Sequence, residues 1–433
     1  MKTNQDLWVG FGVSDITPPL GLAMAGGLDP RTNRGTGDPL QAKTLYVRGR
    51  GGAVAIVGVD LLGLPRDVAD AAIDAAARRA GLDPAAILIA CSHTHSGPYM
   101  INPPHCDGLV DEPYVTSLPE RIAASIAGAV DAAQPATFSL GRSLVYHGFH
   151  HRRVTTKHDG LAVNTWMRGL LNDLDTVPQV LGTAGVVDPE LWVARFDDPG
   201  GGTLGVLINF SVHVNARFGD LWSADYPSVM AARMTEAFGS RTVSVFTPGA
   251  CANVNPTRNG AQWREGADFF AAQAVDAAQR ARRIEGPISV GASRLDVAVP
   301  RRDPASQRDG AIERLCWGNG GGRRDVFGPR LKWVAGLPSQ QIVPVNAARI
   351  GPLGIATNAG ELFVEWGLDI KRRSPFPHTI VTELTNDTIG YQPDAAAFAA
   401  EGYETLVGAN RIAPEGIKSL IDSAVQQLET LYA

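Results

Sequence analysis

Along this chain, short runs of consecutive apolar residues alternate with longer stretches in which apolar positions recur every three or four residues. Residues 53–59 and 86–90 are apolar almost throughout, which predicts strands covered on both faces. Between them, residues 66–80 carry helical spacing and run into Gly81, a residue suited to the turn that closes a helix. Further helices are predicted over 118–133, 229–238, 269–282 and 417–432, and a strand over 137–145. Residues 191–196 and 203–210 flank Asp197-Asp198-Pro199-Gly200-Gly201-Gly202 and read as a hairpin. Strands are also predicted at 242–246 and 379–384, while 288–299 alternates like a strand with one wet face.

Continuously apolar and alternating strands among helices predict an α/β fold, a mixed β-sheet flanked by helices. No linker divides the 433 residues, so they read as one large domain spanning 1–433, without an internal repeat. Residues 305–330 contain Gly318-Asn319-Gly320-Gly321-Gly322 and cannot form one regular element. A connecting loop is the simpler reading there, and a lid over a pocket the other.

Composition changes this picture little, since 44% hydrophobic and 19% charged residues are ordinary for a globular protein. A net charge of −5 without a long basic run argues against a nucleic-acid partner. Cys91, Cys106, Cys251 and Cys316 form no Cys-x-x-Cys pair, so neither a zinc ribbon nor a disulfide framework is expected. Residues 1–6 lack an apolar secretion core and no run approaches a membrane span. A cytoplasmic protein without a stable membrane anchor is expected, and no feature specifies an oligomeric state.

The chemistry concentrates where strands end. His93 and His95, in Cys91-Ser92-His93-Thr94-His95-Ser96-Gly97-Pro98, follow the strand at 86–90 and open a Gly-Pro loop. Ligands bind beyond the carboxyl ends of strands in open α/β sheets, and alternate residues of an extended chain face one way. An isolated His-x-His is equally compatible with a surface loop. His213 follows another apolar strand, Glu361 follows a strand that turns through Gly360 towards a helix, and Tyr391 follows the strand at 379–384. Each has an ordinary structural role open to it: a satisfied core histidine, a helix cap, a half-buried loop tyrosine. Zinc takes histidine nitrogen and carboxylate oxygen. The loop Pro98-Tyr99-Met100-Ile101-Asn102-Pro103-Pro104 reads as an acyl-pocket wall or as packing, and Trp222, Trp317 and Trp333 as core aromatics.

With these segments quoted, the chain resembles the neutral/alkaline ceramidase family, zinc-dependent amidases that hydrolyse the N-acyl bond of ceramide. Val9-Gly10-Phe11-Gly12-Val13-Ser14-Asp15-Ile16-Thr17-Pro18-Pro19 is similar to the family's opening signature, and His93-Thr94-His95-Ser96-Gly97-Pro98 to its most recognisable motif. Phe210-Ser211-Val212-His213, Gly360-Glu361, Gly390-Tyr391 and Gly402-Tyr403-Glu404 follow in the same order. The resemblance implies His93, His213, Glu361 and Tyr391 as zinc ligands. It implies His95 and Tyr403 as groups that contact the scissile amide, and Arg152, with Arg153 as the alternative, as the pocket arginine. Two departures stand out. Asn253 occupies the position of a family aspartate, and the chain ends soon after the last motif, without the C-terminal immunoglobulin-like domain of larger members. The expected activity is zinc-dependent hydrolysis of a linear N-acyl amide, on ceramide or a smaller soluble substrate, with His95 giving a proton to the leaving amine. An esterase or lactonase using the same zinc site, and a catalytically silent binding protein, are the alternatives.

Overall fold

The computed structural model describes residues 7–156, 162–165, 180–314 and 323–433; Cys316, Trp317 and the glycine run at 318–322 lie outside them. The architecture is α/β, with mixed sheets and helices on their outer faces.

Three sheets repeat one topology. In each, three antiparallel neighbours are followed by a helix and then by a fourth strand parallel to the third. The first sheet pairs Trp8–Asp15 with Gln41–Gly49 and that with Gly52–Val59, after which the helix Arg66–Ala80 leads to Ile87–Cys91. The second runs Thr137–Leu144, Glu190–Asp197, Thr203–Phe210, helix Tyr226–Phe238 and Val243–Pro248. The third runs Val290–Pro300, Gln340–Ile350, Leu353–Thr357, helix Val364–Arg373 and His378–Thr382. A later helix completes each unit, namely Glu112–Asp131, Trp263–Gln279 and Pro414–Tyr432, packed beside its partner on the outer face. Each crossover strand therefore has one face under helices and the other in the centre of the molecule.

The inner faces of all three sheets meet in one core. Val47 and Ile56 of the first share one buried cluster with Phe138 and Phe196 of the second and Ile350 and Ile355 of the third. This threefold plan was not visible as a sequence repeat, because apolar spacing and connection order recur while the residues do not. Many side-chain combinations fill a core of given shape.

Most elements lie where their periodicity placed them. Arg66–Ala80 ends at Gly81 in a left-handed conformation, φ 65°. The helix expected over 118–133 begins earlier, at Glu112, where Asp111 accepts a hydrogen bond from the Tyr114 amide; Pro119 within it had obscured the pattern. The segment 305–330 is not a plain connecting loop. It includes Ala311–Arg314 and the start of the helix Arg324–Gly336, and Arg323 and Arg330 face a large cavity.

The repeated topology also positions chemistry. His93 and His95 follow the fourth strand of the first unit, and His213 follows the third strand of the second. Glu361 and Tyr391 follow the third and fourth strands of the third unit.

Candidate active site

The turn after Ile87–Cys91 is pinned by its backbone, with the Ser92 amide donating to Val59 O (2.8 Å) and the His93 amide to Leu61 O (2.9 Å). His93 has φ 67°, a left-handed conformation that a non-glycine residue keeps only when its surroundings enforce it. The segment is therefore not extended, and it is this turn, rather than strand alternation, that brings His93 and His95 together. His213 Nε2 lies 3.0 Å from His93 Nε2 and 3.0 Å from His95 Nε2.

The opposite nitrogens define the protonation of these rings. His93 Nδ1 faces Leu62 O (2.7 Å), His95 Nδ1 faces Gly26 O (2.7 Å) and His213 Nδ1 faces Cys251 O (3.2 Å). A carbonyl only accepts, so each Nδ1 carries the proton and each Nε2 presents a lone pair. Three lone pairs gathered within 4.8 Å repel unless a positive charge lies among them. Glu361 Oε2, 3.4 Å from His93 Nε2, is otherwise buried without a hydrogen-bond partner. Burial, and then the neighbouring His93, push the pKa values of His95 and His213 well down. For His93, burial acts downwards but the Glu361 carboxylate outweighs it and the pKa rises. The cluster thus favours one positive charge at its centre, and its donor set suits zinc, with each imidazole oriented by a carbonyl behind it.

Glu361 and Tyr391 are register partners in a two-residue parallel pair, Glu361–Leu362 with Tyr391–Gln392. Glu361 does not cap the helix that follows; Asn253 Oδ1 does, accepting from the Val364 amide (2.9 Å). Burial first, and then Glu361, hold the Tyr391 phenol well above its usual pKa, so it stays protonated. Arg152 lies over that ring, its Cζ 5.3 Å from the centroid, and Tyr403 packs edge-on at 5.5 Å.

Arg152 and Arg153 share one buried acid. Glu404 accepts from Arg152 Nε (2.8 Å), Arg153 Nη1 (2.8 Å) and Asn164 Nδ2 (2.8 Å). Of the two arginines only Arg152 lines the cavity. Burial opposes the Arg152 charge, yet Tyr391 and Glu404 outweigh it and raise its pKa.

The cavity measures about 820 Å³. His93, His95, Glu361, Tyr391, Tyr403 and Arg152 form its polar side, while Tyr99, Met100 and Ile101 form wall, so the loop at 98–104 does more than pack. Trp333 also lines it, whereas Trp222 is fully buried elsewhere in the core. The position with the missing acid, Asn253, does not reach the cavity. Its amide donates to Glu365 Oε2 (2.7 Å) and contacts His151 Nε2 (3.0 Å), behind the site. An aspartate there would oppose Glu365.

The structure therefore brings His93, His95, His213, Glu361, Tyr391, Tyr403 and Arg152 together. It adds Glu404 as the anchor behind Arg152, and Arg330 and Arg411 as cavity residues that motif reading did not single out. No helix among the described residues is long and apolar enough to cross a membrane.

No protein-family model and no curated protein matches the sequence. Solved structures do. One, neutral ceramidase from Pseudomonas aeruginosa, superposes with a TM-score of 0.74 at 18% identity, covering 99% of this chain and 74% of that one. Another, a ceramidase complexed with C2, gives 0.73 at 18% identity, covering 99% and 75%. Over nearly its whole described course, then, the chain has the neutral ceramidase fold.

Proposed function

We propose that this protein is a zinc-dependent hydrolase that cleaves a linear N-acyl amide bond. The observation that carries this reading is the convergence of three imidazole lone pairs beside the unpartnered Glu361 Oε2, at the polar end of a cavity large enough for an amphiphile. Ceramide cleavage by proteins of the same fold supports the bond type.

His93, His213 and Glu361 are the donors common to the motif reading and to the geometry. When bound, zinc supplies an acidified water, pKa roughly 7, and a Lewis-acidic contact for the carbonyl oxygen. Arg152, held charged, and Tyr403, whose phenol burial keeps protonated, both border the cavity and can donate to that oxygen as charge develops. The amine leaves only after protonation. His95 at rest offers a lone pair, because its proton is held at Nδ1 by Gly26. It can take the proton of the attacking water and return it to the leaving nitrogen, or it can serve as a further metal donor in place of Tyr391.

Metal analysis of purified variants tests this directly. The wild-type protein should hold one zinc per chain, and His93→Ala and His213→Ala should lose both zinc and turnover. His95→Ala separates the two roles: retained zinc with amide cleavage reduced more than ester cleavage marks a proton carrier, and lost zinc marks a ligand. Hydrolysis that persists after complete chelation would overturn the proposal.

A further inference from the structure

We infer that the substrate carries a carboxylate on its amine fragment, so that the amide cleaved is that of an N-acyl amino acid; this inference rests on the amidase reading above. Arg330 and Arg411 line the same cavity as the histidine cluster. Arg330 makes no hydrogen bond or ion pair with any described residue, and its buried Nε lacks a partner. Its guanidinium lies over the Phe327 ring, Cζ 5.5 Å from the centroid. Arg411 donates from Nη2 to Thr388 O (3.3 Å), lies over the Trp333 ring at 5.6 Å, and also has a buried, unpartnered Nε. Asp387, the acid that acts on Arg411 through charge, is not within ion-pair distance, and its carboxylate accepts from the Thr388 amide (2.6 Å).

Other charges along the cavity are matched. Arg323 is paired with Asp29 (2.8 Å) and Asp325 (2.9 Å), Arg152 with Glu404, and Glu361 belongs to the histidine cluster. The unmatched charge is therefore positive. A buried guanidinium Nε without a partner is costly, and a carboxylate supplies the planar, two-oxygen acceptor that satisfies it together with a neighbouring Nη.

The position of the charge selects the fragment. Arg330 lies over the Phe327 ring, that ring packs edge-on against Tyr403 at 6.0 Å, and Tyr403 in turn packs against Tyr391. The anion thus sits close to the reacting carbonyl, as an amino-acid carboxylate does, rather than at the far end of a long acyl chain. Met100, Ile101 and Phe218 give the acyl chain an apolar wall. In the reaction, water adds oxygen to the acyl carbon while the C–N bond breaks and a proton passes to nitrogen, yielding a carboxylate and a free amino acid.

The test compares N-decanoylglycine with its neutral isostere N-decanoylglycinamide on the zinc-loaded enzyme. The expected result is a preference of at least about tenfold in kcat/KM for the carboxylate, the range of hydrogen bonds to charged groups. In Arg330→Met that ratio should fall towards one, with Arg330→Lys recovering part of it. Equal kcat/KM for the two substrates, or a ratio unchanged in Arg330→Met, would overturn the inference while leaving the amidase reading intact. Calorimetry with both compounds separates the two failures. Tenfold tighter binding of the carboxylate without cleavage supports the inference and counts against the amidase reading, and equal or absent binding overturns the inference.

Discussion

Glu404 is fully buried between two guanidinium groups, and that placement determines which of them serves the cavity. Arg153 is turned away towards backbone carbonyls, including Ala397 O (3.3 Å), while Arg152 keeps an edge on the site. Burial disfavours the Glu404 carboxylate, but Arg152 and Arg153 outweigh it and bring its pKa from 4.5 to about 2. A lowered folded-state pKa contributes stability that is fully present above about pH 4.5 and lost as pH falls towards 2. Glu404→Gln leaves two buried cations short of a counter-charge, so a loss of about 3–5 kcal/mol is expected in urea unfolding at pH 7. Its stability should then vary less between pH 5 and 3 than that of the wild type. A variant as acid-sensitive as the wild type would show that this acid does not carry the charge of the pair. Asn253 illustrates the opposite lesson. Its identity looked like a defect in the site when read against a motif, yet it is a neutral hinge between Glu365 and His151 and caps a helix.

At the scale of elements, the pair Glu361–Leu362 and Tyr391–Gln392 is only two residues long and fixes two site residues at once. It depends on Gly390, whose φ of 81° favours glycine and whose added Cβ would lie 2.5 Å from Ala409 O. Gly390→Ala should therefore cost about 2 kcal/mol or more in stability and displace Glu361, whose amide donates to Gly390 O. A fall of about 10–100-fold in zinc affinity is expected, the size seen when groups that orient metal ligands are removed. Unchanged affinity in a competition titration would show that this pair does not orient the donors. Such a pair is too short to leave a periodic pattern, which is why Glu361 and Tyr391 were legible only as residues following strands. Longer elements were legible because a full helix or strand repeats its apolar spacing several times, as Arg66–Ala80 does before Gly81. Arg330 was not, since its helix carries Pro329 and follows a glycine-rich stretch that reads as loop.

Across the whole molecule, the candidate zinc donors are distributed among three structural units that share a topology but not a sequence. His93 belongs to the first, His213 to the second and Glu361 to the third, while the inner faces of all three sheets pack in one core. A ligand that binds only the folded state stabilises it by RT ln(1 + [L]/Kd), about 4 kcal/mol at a thousandfold excess over Kd. With one zinc held by these three residues, as proposed, opening any one unit would remove a donor and link metal release to local opening in every unit. Zinc should then slow amide hydrogen exchange in the parallel strands of all three sheets together: Ile87–Cys91, Thr203–Phe210 and Leu353–Thr357. His213→Ala should remove the effect in the first and third units as well as in its own, although it lies in neither. Protection confined to the loops that bear the donors, or lost only in the second unit of that variant, would mean that the units open independently and that the site is held by local turns. Uniform protection would instead make the shared metal the point at which three similar folds become one cooperative structure.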